Sequence, residues 1–219
     1  MIHSVINKPL RVVEIFGSAD GEVNRWGQGY PSLFIRLAGC NLKCEYCDTK
    51  HSQDPDAGRE IPQHELLHIV STSGYNKITI TGGEPLLQAE PLYNFLGHLP
   101  AGIKVSVETN GSIALHHSFV HWPMGECCIV MDCKLPDVPG ATIQNLARLR
   151  GTDHWVKFVI ADWSNYLLAR DLVRDLSCRI AFSPIQPGLD PKLLWEWMSE
   201  DRLYYVTLNM QLHKLIGLQ

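Results

Sequence analysis

Residues 32–49 read SLFIRLAGCNLKCEYCDT, an apolar run that ends in a loop carrying three cysteines. The run 32–38 (SLFIRLA) is rich in branched and aromatic residues and predicts a β-strand. Working outward, the pairing of a strand with a motif-like segment recurs. Residues 77–81 (KITIT) lead into GGEP, 103–108 (IKVSVE) end in ETNG, and 128–132 (CIVMD) lead into DCK. Residues 179–183 (RIAFS) lead into SPIQPG and 204–209 (YYVTLN) into NMQLHK, while 10–16 (LRVVEIF) and 155–160 (WVKFVI) predict two further strands. Helices are expected over 62–72, 89–98, 112–120, 141–150, 164–176 and 190–199, with Pro62 and Asp190-Pro191 as start signals.

Strands alternating with helices imply βαβ units around a mainly parallel sheet. A complete eight-unit barrel averages ~250 residues, and this chain has 219. The expected fold is therefore α/β, an incomplete (partial) TIM-like β/α barrel abbreviated in helices, forming a single domain over 1–219. Active sites of such folds lie beyond the carboxyl ends of the strands. The motif-like segments fall at those ends.

A hydrophobic fraction of 45% with 19% charged residues excludes disorder, collagen and coiled coil. A net charge of −4 argues against a strongly basic nucleic-acid binder. The N-terminus MIHSVINKPLRVVEIF lacks the apolar region of a secretory signal, and no apolar run approaches the ~18 residues of a membrane span. A cytoplasmic location without a membrane partner is expected, where thiols stay reduced.

The chain has seven cysteines. Cys40, Cys44 and Cys47 crowd into eight positions, which in a reducing compartment reads as metal ligation or catalysis. Three thiolates hold three corners of a cubane cluster and leave the fourth iron open, whereas an electron-transfer cluster normally uses four cysteines. The alternative is a non-catalytic zinc module, with His51 completing a Cys3His set. Cys127, Cys128, Cys133 and Cys178 read as packing residues.

The segment GCNLKCEYCDT resembles the radical S-adenosylmethionine (SAM) enzymes, and TGGEP at 81–85 resembles that superfamily's second signature. The wider resemblance is to the 7-carboxy-7-deazaguanine synthases and runs nearly end to end. It rests on EIFGSADGEV (14–23), PSLFIRLAGCNLKCEYCDT (31–49), VETNGS (107–112), KFVI (157–160) and QLHK (211–214). The resemblance implies a lyase that converts 6-carboxy-5,6,7,8-tetrahydropterin to 7-carboxy-7-deazaguanine and ammonia by radical ring contraction, on the route to queuosine. It implies a [4Fe-4S] cluster, SAM used catalytically, Mg2+, a homodimer and a flavodoxin-type reductant. No contact with nucleic acid is implied. Activases of glycyl-radical enzymes share the triplet but not this ending, and stand as the same-class alternative.

The resemblance also implies roles. Cys40, Cys44 and Cys47 would ligate the cluster, and Thr49 would bind Mg2+. Tyr46, Asp48, Gly83, Glu84, Glu108 and Asn110 would meet SAM, as would Asp132, Cys133, Lys134, Ser183, Pro184 and Gln186. Ala19, Asp20, Gly21, Glu22, Arg36, Thr81, His213 and Gln219 would meet the pterin. Arg36 also stands out on its own, because an Arg inside an apolar run is costly unless paired. Four places depart from the family's pattern: Asp20 stands for Gln, Val23 for Gly, Asp132-Cys133-Lys134 for Ser-Pro-Lys, and Leu212 for Thr. The stretch 24–30 (NRWGQGY) is also longer than in many relatives.

Overall fold

The computed structural model describes residues 8–122, 126–136 and 138–218, so Gln219 lies outside the described residues. These residues form two compact units: one from 8–19, 31–109, 121–122 and 126–127, the other from 20–30, 110–120, 128–136 and 138–218.

The first unit carries β1 (Leu10–Ala19), β2 (Pro31–Leu37), β3 (Arg59–Ile61), β4 (Lys77–Gly82) and β5 (Lys104–Thr109), with helices α1 (Gln63–Thr72) and α2 (Ala89–Gly97). β1 runs antiparallel to β2 and β3, while β2, β4 and β5 are parallel neighbours. β3 is three residues long, too short to leave an alternating pattern in the sequence, and it was not foreseen. The register pairs Glu14 with Arg36, Phe16 with Phe34 and Arg36 with Thr81. Side chains alternate across a strand, so these residues share one face. The opposite face is apolar and buried, with Ile35, Leu37, Ile78 and Ile80 at most 1% exposed. Leu66 and Val70 of α1 and Leu92, Phe95 and Leu96 of α2 are buried as well.

The second unit holds β6 (Cys127–Lys134, from Cys128 onward), β7 (Trp155–Ile160), β8 (Arg179–Pro184) and β9 (Val206–Leu208), all parallel. Its helices are α3 (His117–Val120), α4 (Gly140–Arg148), α5 (Trp163–Val173), α6 (Pro191–Glu200) and α7 (Leu212–Ile216). α6 begins as expected: the Asp190 side chain caps the Lys192 N–H at 2.9 Å and Pro191 follows where it needs no donor. The helix expected over 112–120 shrinks to α3 because side chains capture its backbone. Asn145 accepts from the Leu115 N–H and donates to the carbonyls of Gly111 and Ile113. Such bonds offer the chain an alternative to helical pairing.

Val23, Cys128, Val130, Trp155 and Ala181 form a buried apolar cluster against which Trp26 packs. Val23, a departure from the family pattern, is thus a core residue. The longer stretch 24–30 is stapled by its own polar groups: Asn24 donates to the Glu22 and Gly27 carbonyls, and Gln28 to those of Gly21 and Met210.

Candidate active site

In the first unit the cysteine loop leaves β2 at Gly39, whose φ of +90° lies in the region that favours glycine. Backbone bonds close the loop at its base: Gly39 N–H to Ser52 O at 2.8 Å and Cys40 N–H to Gln53 O at 3.0 Å. Within it Cys47 N–H reaches Cys44 O, and the Thr49 hydroxyl lies 3.7 Å from Cys47 Sγ. Cys40, Cys44 and Cys47 are outside any disulfide, and each is partly exposed. Asp48 is exposed and Tyr46 is 42% exposed.

The Gly82-Gly83-Glu84 turn packs backbone to backbone on this loop. Gly83 N–H donates to Leu37 O and Glu84 N–H to Gly39 O at 2.7 Å. A Cβ on Gly83 would lie 2.1 Å from Gly39 O and 2.8 Å from Ser52 O, so only glycine permits the approach. Gly82 has a φ of +144° and meets Leu37 equally closely. The Glu84 side chain is fully buried, accepting from the Leu86 N–H at 2.9 Å and the Thr109 hydroxyl at 2.8 Å. The two sequence motifs therefore form one rigid piece. Three reduced, soft thiol ligands on a loop fixed at its base suit an iron–sulfur cluster.

Arg36, buried at 9% exposure, donates from Nε to Glu14 Oε1 at 2.6 Å and lies over the Phe16 ring. Burial works against the Glu14 charge, but Arg36 and His51 outweigh it and hold the carboxyl below its usual range. His51, the residue a zinc site would need, is turned to Glu14 at 3.3 Å. Thr81 is buried beside Arg36 in register, and Glu108 is half-buried near the end of β5.

In the second unit the turn 20–30 and the C-terminal segment meet, although Glu22 and Asn209 are 187 positions apart. Asp20 is buried, and its backbone closes the turn against Tyr30 and Gly29. A Cβ on Gly21 would fall 1.8 Å from His213 Nδ1, so the His213 ring lies directly on this glycine. Gly21 O accepts from Leu212 N–H. Glu22 accepts from Lys157 (Nζ to Oε2, 2.7 Å), from Asn209 (Nδ2 to Oε2, 2.7 Å) and from Gln211 (Nε2 to Oε1, 3.1 Å). Asn209 also donates to the Ser183 hydroxyl.

Lys157 reaches Asp132 Oδ1 at 3.0 Å, and Lys134 reaches Asp132 Oδ2 at 2.6 Å. Burial opposes the Asp132 charge, yet Lys134 and Lys157 overcome it and hold the carboxyl at about 2. Cys133 points to the opposite face, as strand alternation demands. It is fully buried, and its thiol is pushed up to about 12, mainly by burial and further by the Asp132 charge. Pro184 is buried, Gln186 is half-buried, and the buried Asn110 accepts from Ser112. Sequence reasoning missed Glu14, Lys157 and Asn209. Glu14 and Lys157 carry the signal that singled out Arg36, a charge within an apolar strand.

Residues 34–116 match the radical SAM superfamily model. The chain is 34% identical over 217 residues to the 7-carboxy-7-deazaguanine synthase of Clostridium acetobutylicum, covering 94% of this chain and 95% of that protein. It is 36% identical over 217 residues to the protein of the same name from Thermoplasma acidophilum, covering 94% and 96%. Among solved structures it resembles QueE from Escherichia coli, with a TM-score of 0.67 and 20% identity over 92% of this chain and 94% of that one. It also resembles anSMEcpe with bound AdoMet, with a TM-score of 0.53 and 15% identity over 78% of this chain and 61% of that one. This likeness carries the incomplete β/α barrel fold expected from the sequence.

Proposed function

The chain belongs to the 7-carboxy-7-deazaguanine synthases of the radical SAM superfamily, and we propose how its residues divide the work of radical ring contraction. The observation that carries the proposal is the fusion of the cysteine loop and the Gly83 turn into one backbone-bonded piece. When bound, the cluster and SAM supply the one-electron chemistry that abstracts a hydrogen from the substrate; the protein's part is to hold and orient.

Cys40, Cys44 and Cys47 would hold the cluster, three thiolates where an electron-transfer cluster normally takes four. Gly83 and Glu84 form the cradle for the SAM amino group, stiffened because Leu86 and Thr109 anchor the Glu84 carboxylate. Tyr46, Asp48, Glu108 and Asn110 are further residues that the resemblance assigns to SAM. Asp132, Lys134, Ser183, Pro184 and Gln186 are assigned to SAM by the resemblance as well. Cys133 contributes through its backbone, since its thiol is buried on the other face of the strand.

Arg36 meets the pterin carboxylate. Its Nε is committed to Glu14, which leaves the two Nη groups as a fork suited to a carboxylate. Glu22, with the backbone of Ala19, Asp20 and Gly21, reads the amide and amino edge of the pterin, while Thr81 and His213 flank it. Gln219, which the resemblance assigns to the pterin, lies outside the described residues. Thr49, water and a substrate carboxylate form an oxygen-rich set suited to Mg2+. The proposal extends to a lyase that works as a homodimer in the cytoplasm, reduced by a flavodoxin-type protein and acting as one catalytic domain.

Metal analysis after anaerobic reconstitution tests the cluster assignment. About four iron atoms per chain and reductant-dependent SAM cleavage are expected. Stoichiometric zinc in a colourless, iron-free protein would overturn it.

A further inference from the structure

Lys157 is a buried charge with no role in the division of work proposed so far. Lys157 sits within the apolar run of β7, with its side chain 8% exposed. Its Nζ lies 2.7 Å from Glu22 Oε2 and 3.0 Å from Asp132 Oδ1. A buried lysine is costly unless its donors are matched, and here one ammonium bridges two carboxylates from distant parts of the chain. Glu22 belongs to the turn assigned to the pterin, and Asp132 to the strand end assigned to SAM. Lys134 holds the other oxygen of Asp132, so two cations and two anions balance.

A carboxylate offers about four acceptor positions. Lys157 and Asn209 occupy two on Oε2 and Gln211 one on Oε1. The position left over therefore lies on Oε1, with the carboxylate plane fixed by the two short bonds to Oε2. We propose that Lys157 is a positioning residue: it locks the Glu22 carboxylate so that Oε1 faces the N–H donors of the pterin, and ties this turn to the strand end carrying Asp132. The proposal rests on the reading of Glu22 as the pterin-recognising residue.

The test is a double-mutant cycle on the reconstituted enzyme with K157M, E22Q and E22Q/K157M. Affinity is measured by equilibrium titration with 6-carboxypterin, an oxidised, non-reacting analogue of the substrate, and steady-state kinetics are measured alongside. K157M should weaken binding about 30-fold and raise KM to match, as expected for a severed buried pair, with kcat at saturation within about threefold of wild type. On the E22Q background, K157M should add no more than about threefold, because Lys157 acts through Glu22. That comparison stands even if K157M alone does not fold, since the double variant keeps Asp132 and Lys134 paired and buries no lone charge. Wild-type affinity in K157M, or a tenfold further loss in the double variant, would overturn the proposal. Wild-type affinity in E22Q would instead overturn the reading of Glu22 beneath it.

Discussion

Replacing Gly83 with alanine tests the geometry on which the site is built. The added Cβ would lie 2.1 Å from Gly39 O and 2.8 Å from Ser52 O, both backbone atoms that cannot swing aside. A tolerable carbon–oxygen contact is ~3.3 Å, so the turn and the cysteine loop must separate by about 1.2 Å. That movement strains or breaks the Glu84 N–H bond to Gly39 O. Overpacking costs ~1–3 kcal/mol, and a buried donor left without its partner a further ~1–3 kcal/mol. The sum of ~2–6 kcal/mol corresponds to a melting temperature lowered by roughly 4–24 °C in a protein of this size. A displacement of about 1 Å at the reacting centre also costs on the order of 100-fold in rate. Thermal unfolding and product formation by reconstituted G83A measure both effects. Gly97→Ala is the control: its Cβ would meet nothing closer than Trp122 at 3.9 Å, and alanine in a helix gains up to ~1 kcal/mol. A G83A enzyme that melts with the wild type and keeps its rate would refute the close approach.

Thr49→Ala should abolish the response of the rate to added Mg2+ while iron content stays at wild-type level; an unchanged Mg2+ titration would remove Thr49 from the site. In cluster-free protein at pH 8, iodoacetamide should label Cys40, Cys44 and Cys47 while Cys133, buried and with its thiol pushed up to about 12, stays unlabelled on the same timescale. Peptide mass mapping reads this directly, and equal labelling of Cys133 would contradict its burial. The Asp132 carboxyl, held at about 2 against its ordinary 3.8, contributes stability that is present above about pH 4 and lost as pH falls toward 2. Urea midpoints of wild type and D132N should therefore converge over that range, and a constant gap would show that Asp132 is not ion-paired in solution.

Local chemistry made most of the fold legible. β7 falls on the expected residues 155–160, and the Asp190-Pro191 start of α6 is where the capping rule puts it. What stayed hidden depends on partners far along the chain. No property of residues 112–116 reveals that Asn145 will take their backbone bonds, and β3 becomes a strand only because β1 lies beside it. The site divides the same way. The cysteine spacing and the GGEP turn are local signals and were readable. The contact of Gly21 with His213, and of Glu22 with Lys157 and Asn209, joins segments far apart in sequence that only the fold brings together. Arg36 was conspicuous as a charge in an apolar strand, and Glu14 and Lys157 show that the same test, applied evenly, would have exposed their roles.

The central claim is ring contraction of a carboxylated tetrahydropterin, and anaerobic turnover measures it most directly. The reconstituted chain, given dithionite, SAM, Mg2+ and 6-carboxy-5,6,7,8-tetrahydropterin, should yield 7-carboxy-7-deazaguanine and ammonia in equal amounts, with SAM recovered after many turnovers. A cluster-loaded enzyme that cleaves SAM yet leaves the pterin intact would contradict the account.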